Sequence, residues 1–201
     1  MPLSKRALKD ACIFATSALV LASMFAGVPA FAATCPEVNL PAKVVVGKTN
    51  LVLNGIGLRK ATFFNVKVYV AGLYLPQKSG DAKKILNTDQ NWKLVLHFVR
   101  DVDSDDFHDA LVEGFENAAD DNVEAMRPQI DAINALVPDL KVGDRLTFNH
   151  EVGRGISVNF NDSSNSIVDG TDLAATLLTI WLGEDPPNED LKTGLLGGEC
   201  E

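Results

Sequence analysis

The chain is 201 residues long, 46% hydrophobic and 22% charged, with 27 acidic against 18 basic side chains and a formal net charge of -9. An acidic chain without a basic stripe cannot displace counterions from a phosphate backbone, which argues against any nucleic-acid partner. His97, His108 and His150 are scattered and no two cysteines lie close together, so the chain offers no metal-ligand spacing and no cofactor motif.

Lys5, Arg6 and Lys9 precede an uncharged apolar run from Ile13 to Val28, and Ala30-Phe31-Ala32 supplies small residues for cleavage. This is the pattern of a signal peptide over residues 1–32, leaving a mature domain of residues 33–201 that is periplasmic or secreted. The alternative is a membrane anchor, for which the run is short. With cleavage no transmembrane segment remains, and Thr34 before Cys35 does not suit lipid attachment. Processing removes three basic side chains and Asp10, a net +2, so -9 becomes -11. A domain of this length buries about 70% of its unfolded surface. In an oxidising compartment Cys35 and Cys200 invite a bridge tying the two termini; the alternative is two free thiols on frayed ends.

Val44 to Val46 and Asn50 to Asn54 read as short strands about Gly47. Phe63 to Leu75 predicts a longer strand, with Phe64, Val66, Val68 and Val70 on an apolar face and Asn65, Lys67, Tyr69 and Ala71 on a mixed one. Asp81 to Leu86 is a short helix. Trp92 to Val99 is a strand covered on both faces. Ser104, followed by Asp105 and Asp106, provides an N-cap and an acidic first turn for a helix whose buried stripe is Phe107, Leu111 and Phe115. A second helix spans Val123 to Leu136, where Pro128 is expected to end, restart or kink it.

Arg145 to Val152 and Gly155 to Asn161 alternate about Gly153-Arg154, a hairpin signal. Asp162 to Gly170 reads as polar turn sequence. Thr171 caps a helix that turns Leu173, Leu177, Leu178 and Trp181 inward and stops at Gly183. Asp185-Pro186-Pro187 breaks the chain, and Glu189 to Leu196 allows a last short helix. Strands come mainly first and last without regular strand-helix-strand alternation, which predicts an α+β domain with a largely antiparallel sheet.

Gly55-x-Gly57 is half a dinucleotide fingerprint, but Lys60 stands at the third glycine position and a strand follows, which removes that reading. There is no nucleophile elbow. The acid pairs Asp105-Asp106 and Asp120-Asp121 are explained as a helix start and surface charge. The chemically distinctive residue is Arg59, read as standing just past a glycine turn at the mouth of the sheet. A guanidinium there meets an anion, as its planar fork matches a carboxylate, with Lys67 and the Tyr69 hydroxyl on the same face. The plainer alternative is an exposed ion pair for Arg59 and simple packing for Tyr69.

"NGIGLRKATFFNVKVYVAGLYL", "DVDSDDFHDALVEGF" and "LAATLLTIWLGEDPPNEDLKTGLLG" together resemble the chalcone isomerase family, over nearly all of residues 40–197. The last stretch closely resembles the C-terminal helix and tail of its exported bacterial members. The resemblance implies an open-faced β-sandwich, a large curved and mostly antiparallel sheet with helices on one side and a ligand cleft between. It also implies one of two activities: closure of chalcones by intramolecular addition, or fatty-acid binding without catalysis. Arg59 matches the family arginine, which stabilises enolate charge in the isomerases, where it would be catalytic, and grips a carboxylate in the binders. Tyr69 falls where the binders carry tyrosine. Phe107 falls at the isomerases' catalytic tyrosine and Gly114 near their active-site asparagine, and neither can donate a hydrogen bond there. The expectation is an exported binding protein for a fatty acid or similar amphipathic carboxylate, held by Arg59, Tyr69, Phe107 and Lys67. The alternatives are an isomerase or intramolecular lyase acting on a phenolic compound, and an envelope partner-binding module.

Overall fold

The computed structural model describes residues 31–35, 38–119, 123–163 and 166–200; most of the expected signal peptide and the pair Asp120-Asp121 lie outside the described residues. The strands are β1 (Phe31–Cys35), β2 (Val38–Pro41), β3 (Lys43–Val46), β4 (Thr49–Ala61), β5 (Val66–Leu75), β6 (Trp92–Phe98), β7 (Arg145–His150), β8 (Ile156–Phe160) and β9 (Ser166–Val168). The helices are α1 (Ala82–Leu86), α2 (Ser104–Ala118), α3 (Val123–Asn134), α4 (Thr171–Leu182) and α5 (Glu189–Leu195). Strands β3 to β9 form one antiparallel sheet of seven in chain order, and β1 and β2 form a separate pair. The α+β expectation therefore holds, with helices layered on one side of a curled sheet.

Alternation along the strands builds two cores. Leu94, Leu96 and Phe98 of β6 meet Phe107, Leu111 and Phe115 of α2 and the inward residues of α3 and α4 in the larger one. Each such side chain, when fully buried, contributes about 1.5–3 kcal/mol. Val70 and Tyr74 of β5 point the other way, into a smaller core completed by Val38 and Leu40 of β2. Gly72 makes room for this cover, since a Cβ there would lie 2.2 Å from Leu40 Cδ1.

Several elements differ from the sequence reading. The segment read as a glycine turn is the middle of β4, because Gly55 and Gly57 are extended and lie directly against α5. A Cβ on Gly55 would meet Gly194 O at 2.1 Å, and one on Gly194 would meet Ile56 O at 2.3 Å. The β4–β5 connection is a turn over residues 62–65, not strand, with Thr62 and Asn65 at positive φ and Phe63 and Phe64 in solvent. Helix α3 runs through Pro128. Asp103, not Ser104, is the N-cap of α2; the Ser104 amide donates to Asp139 Oδ1 at 3.1 Å. Gly170, not Thr171, caps α4. Ser166–Val168 adds an edge strand to β8 within what reads as turn sequence, and β1 and β2 have no counterpart in that reading.

A disulfide joins Cys35 at the end of β1 to Cys200, 165 positions apart, with the Cα atoms 5.6 Å from each other. Cross-linking so long a loop removes much chain entropy from the unfolded state. Cys35→Ser with Cys200→Ser is expected to cost about 2–4 kcal/mol. Denaturant titration with and without reductant checks this: the wild type should fall to the variant's midpoint on reduction, and the variant should not move.

Candidate functional site

A cavity of about 420 Å³ opens between the sheet and helices α2 and α4. This lies within the range of small-molecule sites. Its floor is aromatic. Tyr69 and Phe98 contact edge to face with centroids 5.6 Å apart, Phe98 and Phe107 do so at 6.2 Å, and Trp181 of α4 lines the same wall.

A bulge sets the polar end. Arg59 pairs with Tyr69 and Lys60 with Lys67, so β5 carries one extra residue, Val68, at this point. Bulges break alternation and re-aim side chains. Val68 and Tyr69, which strict alternation puts on opposite faces, both line the cavity with Arg59. Arg59 Nη1 donates to Pro187 O at 2.8 Å and to Lys60 O, which fixes the guanidinium against the segment after α4. Among the described residues no carboxylate lies within ion-pair distance of Arg59, and Nε and Nη2 have no protein acceptor. The plainer alternative of a surface ion pair is thus not what this structure contains.

Tyr69 is buried, and its hydroxyl accepts a hydrogen bond from Trp181 Nε1 at 3.0 Å. Burial pushes its pKa up, against the opposing influence of the Trp181 hydrogen bond and the nearby Arg59 charge. The phenol is therefore protonated at neutral pH, and its proton has no acceptor among the described residues. Tyr69→Phe leaves the Trp181 N–H buried without a partner and is expected to destabilise the fold by about 1–3 kcal/mol. Urea titration reads this directly; an unchanged midpoint would mean that water replaces the phenol.

Of the residues predicted for the site, Arg59, Tyr69 and Phe107 come together around the cavity, while Lys67 is exposed and is not among the lining groups. Gly114 lines the cavity because α2 and α4 touch there: a Cβ would lie 2.7 Å from Ile180 Cγ2. His97 and His150 are not among the lining groups; His150 Nδ1 faces Gly155 O at 3.1 Å. The sequence reading missed Arg100, Asn117 and the Pro186-Pro187 wall, and it took Trp181 for an ordinary core residue. Asp101, Asp106, Glu113 and Asp185 also border the opening, all exposed, with Asp101 paired to Lys141 at 3.5 Å.

A second cavity of about 360 Å³ lies on the reverse face, where the sheet is polar: Lys93, Thr147, Asn149, Ser157 and Asn159 border it. Asn149 Nδ2 donates to Ser157 Oγ and Asn159 Oδ1 at 3.1 and 2.9 Å. Among the described residues no group of His, Cys, Asp and Glu side chains is arranged to hold a metal ion.

The architecture is thus a curled antiparallel sheet with helices on one side and, between them, a cavity that Arg59 lines. The family model described as chalcone isomerase-like matches residues 32–197, and the chain belongs to that family. A search of curated proteins found no match. Among solved structures the chain is similar to the fatty-acid binding protein AtFAP1 of Arabidopsis thaliana. The TM-score is 0.60 at 17% sequence identity, covering 79% of this chain and 91% of that one. At that identity the likeness speaks to the fold.

Proposed function

We propose that the protein binds an amphipathic carboxylic acid such as a fatty acid, with the carboxylate on Arg59 and Tyr69 and the tail along Phe98, Phe107 and Trp181. One observation carries this reading. A cavity-lining guanidinium has its Nε and Nη2 donors unengaged beside a buried phenol with an unused proton. Those donors match the two oxygens of a carboxylate, and the aromatic floor matches an alkyl chain. The exposed acids at the opening are screened by water and salt and do not compete for this end. The structural relative AtFAP1 is a fatty-acid binding protein, which supports the same ligand class.

Export into an oxidising compartment belongs to this reading. The Cys35–Cys200 bridge and the charged-then-apolar leader support it, and among the described residues no helix is long and apolar enough to cross a membrane. Denaturing extraction of the purified protein followed by mass spectrometry tests the ligand class. Amphipathic acids should be recovered, or dodecanoate taken up by the empty protein; neither being seen ends the proposal.

A chalcone isomerase-type activity is the second reading. Asn117, one turn beyond Gly114 in α2, lines the cavity and offers an amide to a phenolic substrate. Phe107, at the position of the family's catalytic tyrosine, offers no hydroxyl. Loss of one oriented donor to a transition state typically costs about 2.7–4 kcal/mol, a hundredfold or more in rate. Loss of chalcone absorbance on adding protein would favour this reading over binding alone.

A further inference from the structure

Phe63 and Phe64 are 94% and 84% exposed at the tip of the β4–β5 hairpin. Two adjacent aromatic rings in water are costly, and apolar surface of this kind marks an interaction site. The turn is shaped by its own bonds: the Asn65 amide donates to Thr62 O at 3.2 Å and the Phe64 amide to Thr62 Oγ1 at 3.3 Å. The rings stand perpendicular to each other with centroids 5.9 Å apart. Each strand brings a lysine to the base of the turn, Lys60 and Lys67, which face each other in register. Lys67 is exposed; Lys60 lies 3.6 Å from the solvent-exposed Asp190.

We propose that this hairpin tip docks the protein onto an anionic lipid surface, with Phe63 and Phe64 entering the boundary between headgroups and acyl chains and Lys60 and Lys67 meeting the headgroups. Aromatic rings with flanking cations suit that interface. A protein partner or a second copy is the poorer fit. A stable interface takes about 800 Å² from each side, whereas two phenylalanines supply roughly 300–500 Å². The hairpin also leads straight into the cavity: Ala61 and Val68, on either side of the turn, line it beside Arg59. A bilayer-borne acid would reach the site without crossing water. The choice of a lipid surface rests in part on the binding function proposed above, and the test separates the two.

The measurement is flotation of the purified protein with vesicles of phosphatidylglycerol and phosphatidylethanolamine, against vesicles of phosphatidylcholine alone. The wild type should float with the anionic vesicles. Phe63→Ser with Phe64→Ser should lower that partition about tenfold or more. Lys60→Gln with Lys67→Gln should lower it about tenfold on anionic vesicles and leave the neutral ones unchanged. Because both rings are almost wholly exposed and neither lines the cavity, the Phe63→Ser, Phe64→Ser variant should keep the wild-type melting temperature and its affinity for dodecanoate in solution. The proposal fails if the wild type does not float, if the phenylalanine variant floats equally well, or if that variant instead dissolves a concentration-dependent dimer. A wild type that floats yet never binds dodecanoate keeps the lipid surface and removes the cavity reading.

Discussion

Gly57→Ala should unfold or severely destabilise the protein, by about 4 kcal/mol or more, because the atom closest to the new methyl group belongs to the main chain and cannot turn aside as a side chain would. Its Cβ would sit 2.3 Å from Leu191 O and 2.9 Å from Leu191 Cα, main-chain atoms of α5. The helix has to lift off β4, and Leu191 and Leu195, both fully buried, then meet water. At about 1.5–3 kcal/mol for each leucine, their exposure accounts for most of the loss. Lifting α5 also breaks the hydrogen bond from Asn54 Nδ2 to Leu195 O at 2.8 Å. Gly80→Ala is the control, as its Cβ would meet only Leu196 O at 3.4 Å. Thermal melts should separate the two variants by roughly 10 °C or more. Equal melting temperatures would show that α5 is not seated on the strand as described.

Arg59→Gln should weaken binding of a carboxylate ligand about a hundredfold while leaving the fold in place. Removing one partner of a desolvated charge pair costs about 2–5 kcal/mol of affinity. Within the protein itself the substitution breaks two hydrogen bonds to half-buried carbonyls, Pro187 O and Lys60 O, each worth about 1 kcal/mol net. Circular dichroism should therefore resemble the wild type, the melting temperature should fall by no more than about 4–8 °C, and fluorescence of Trp181, which lines the cavity, should report the weaker binding. A variant that fails to fold would make Arg59 a clasp for the loop after α4 and leave the ligand without its anchor.

Local rules carried much of the reading of this sequence, though they missed the turn over residues 62–65 and misplaced the caps of α2 and α4 by one residue. The stripe of Phe107, Leu111 and Phe115 in α2, the short helix α1 and the β7–β8 hairpin all follow from side-chain period and turn chemistry within a dozen residues. Interactions between distant segments decided most of the rest. Gly55 and Gly57 read as a turn because the reason for them, α5, lies far along the chain. Val68 changed faces because a bulge does not show in an alternating apolar run. At the site, Arg59, Tyr69 and Phe107 were legible through family resemblance and charge. Trp181 was not, since its role depends on a hydrogen bond to Tyr69 across 112 positions, and the Pro187 carbonyl reaches Arg59 across 128. Lys67 was placed at the site by alternation on the far side of the same bulge.

The most direct test of the carboxylate-binding reading is calorimetric titration of the wild type and Arg59→Gln with dodecanoate and, separately, with dodecanol, whose chain is the same but whose head is uncharged. The wild type should bind the acid at least about thirtyfold more tightly than the alcohol, a difference of about 2 kcal/mol, and the variant should bind both alike. Equal affinity of the wild type for acid and alcohol would contradict a site built around the Arg59 guanidinium.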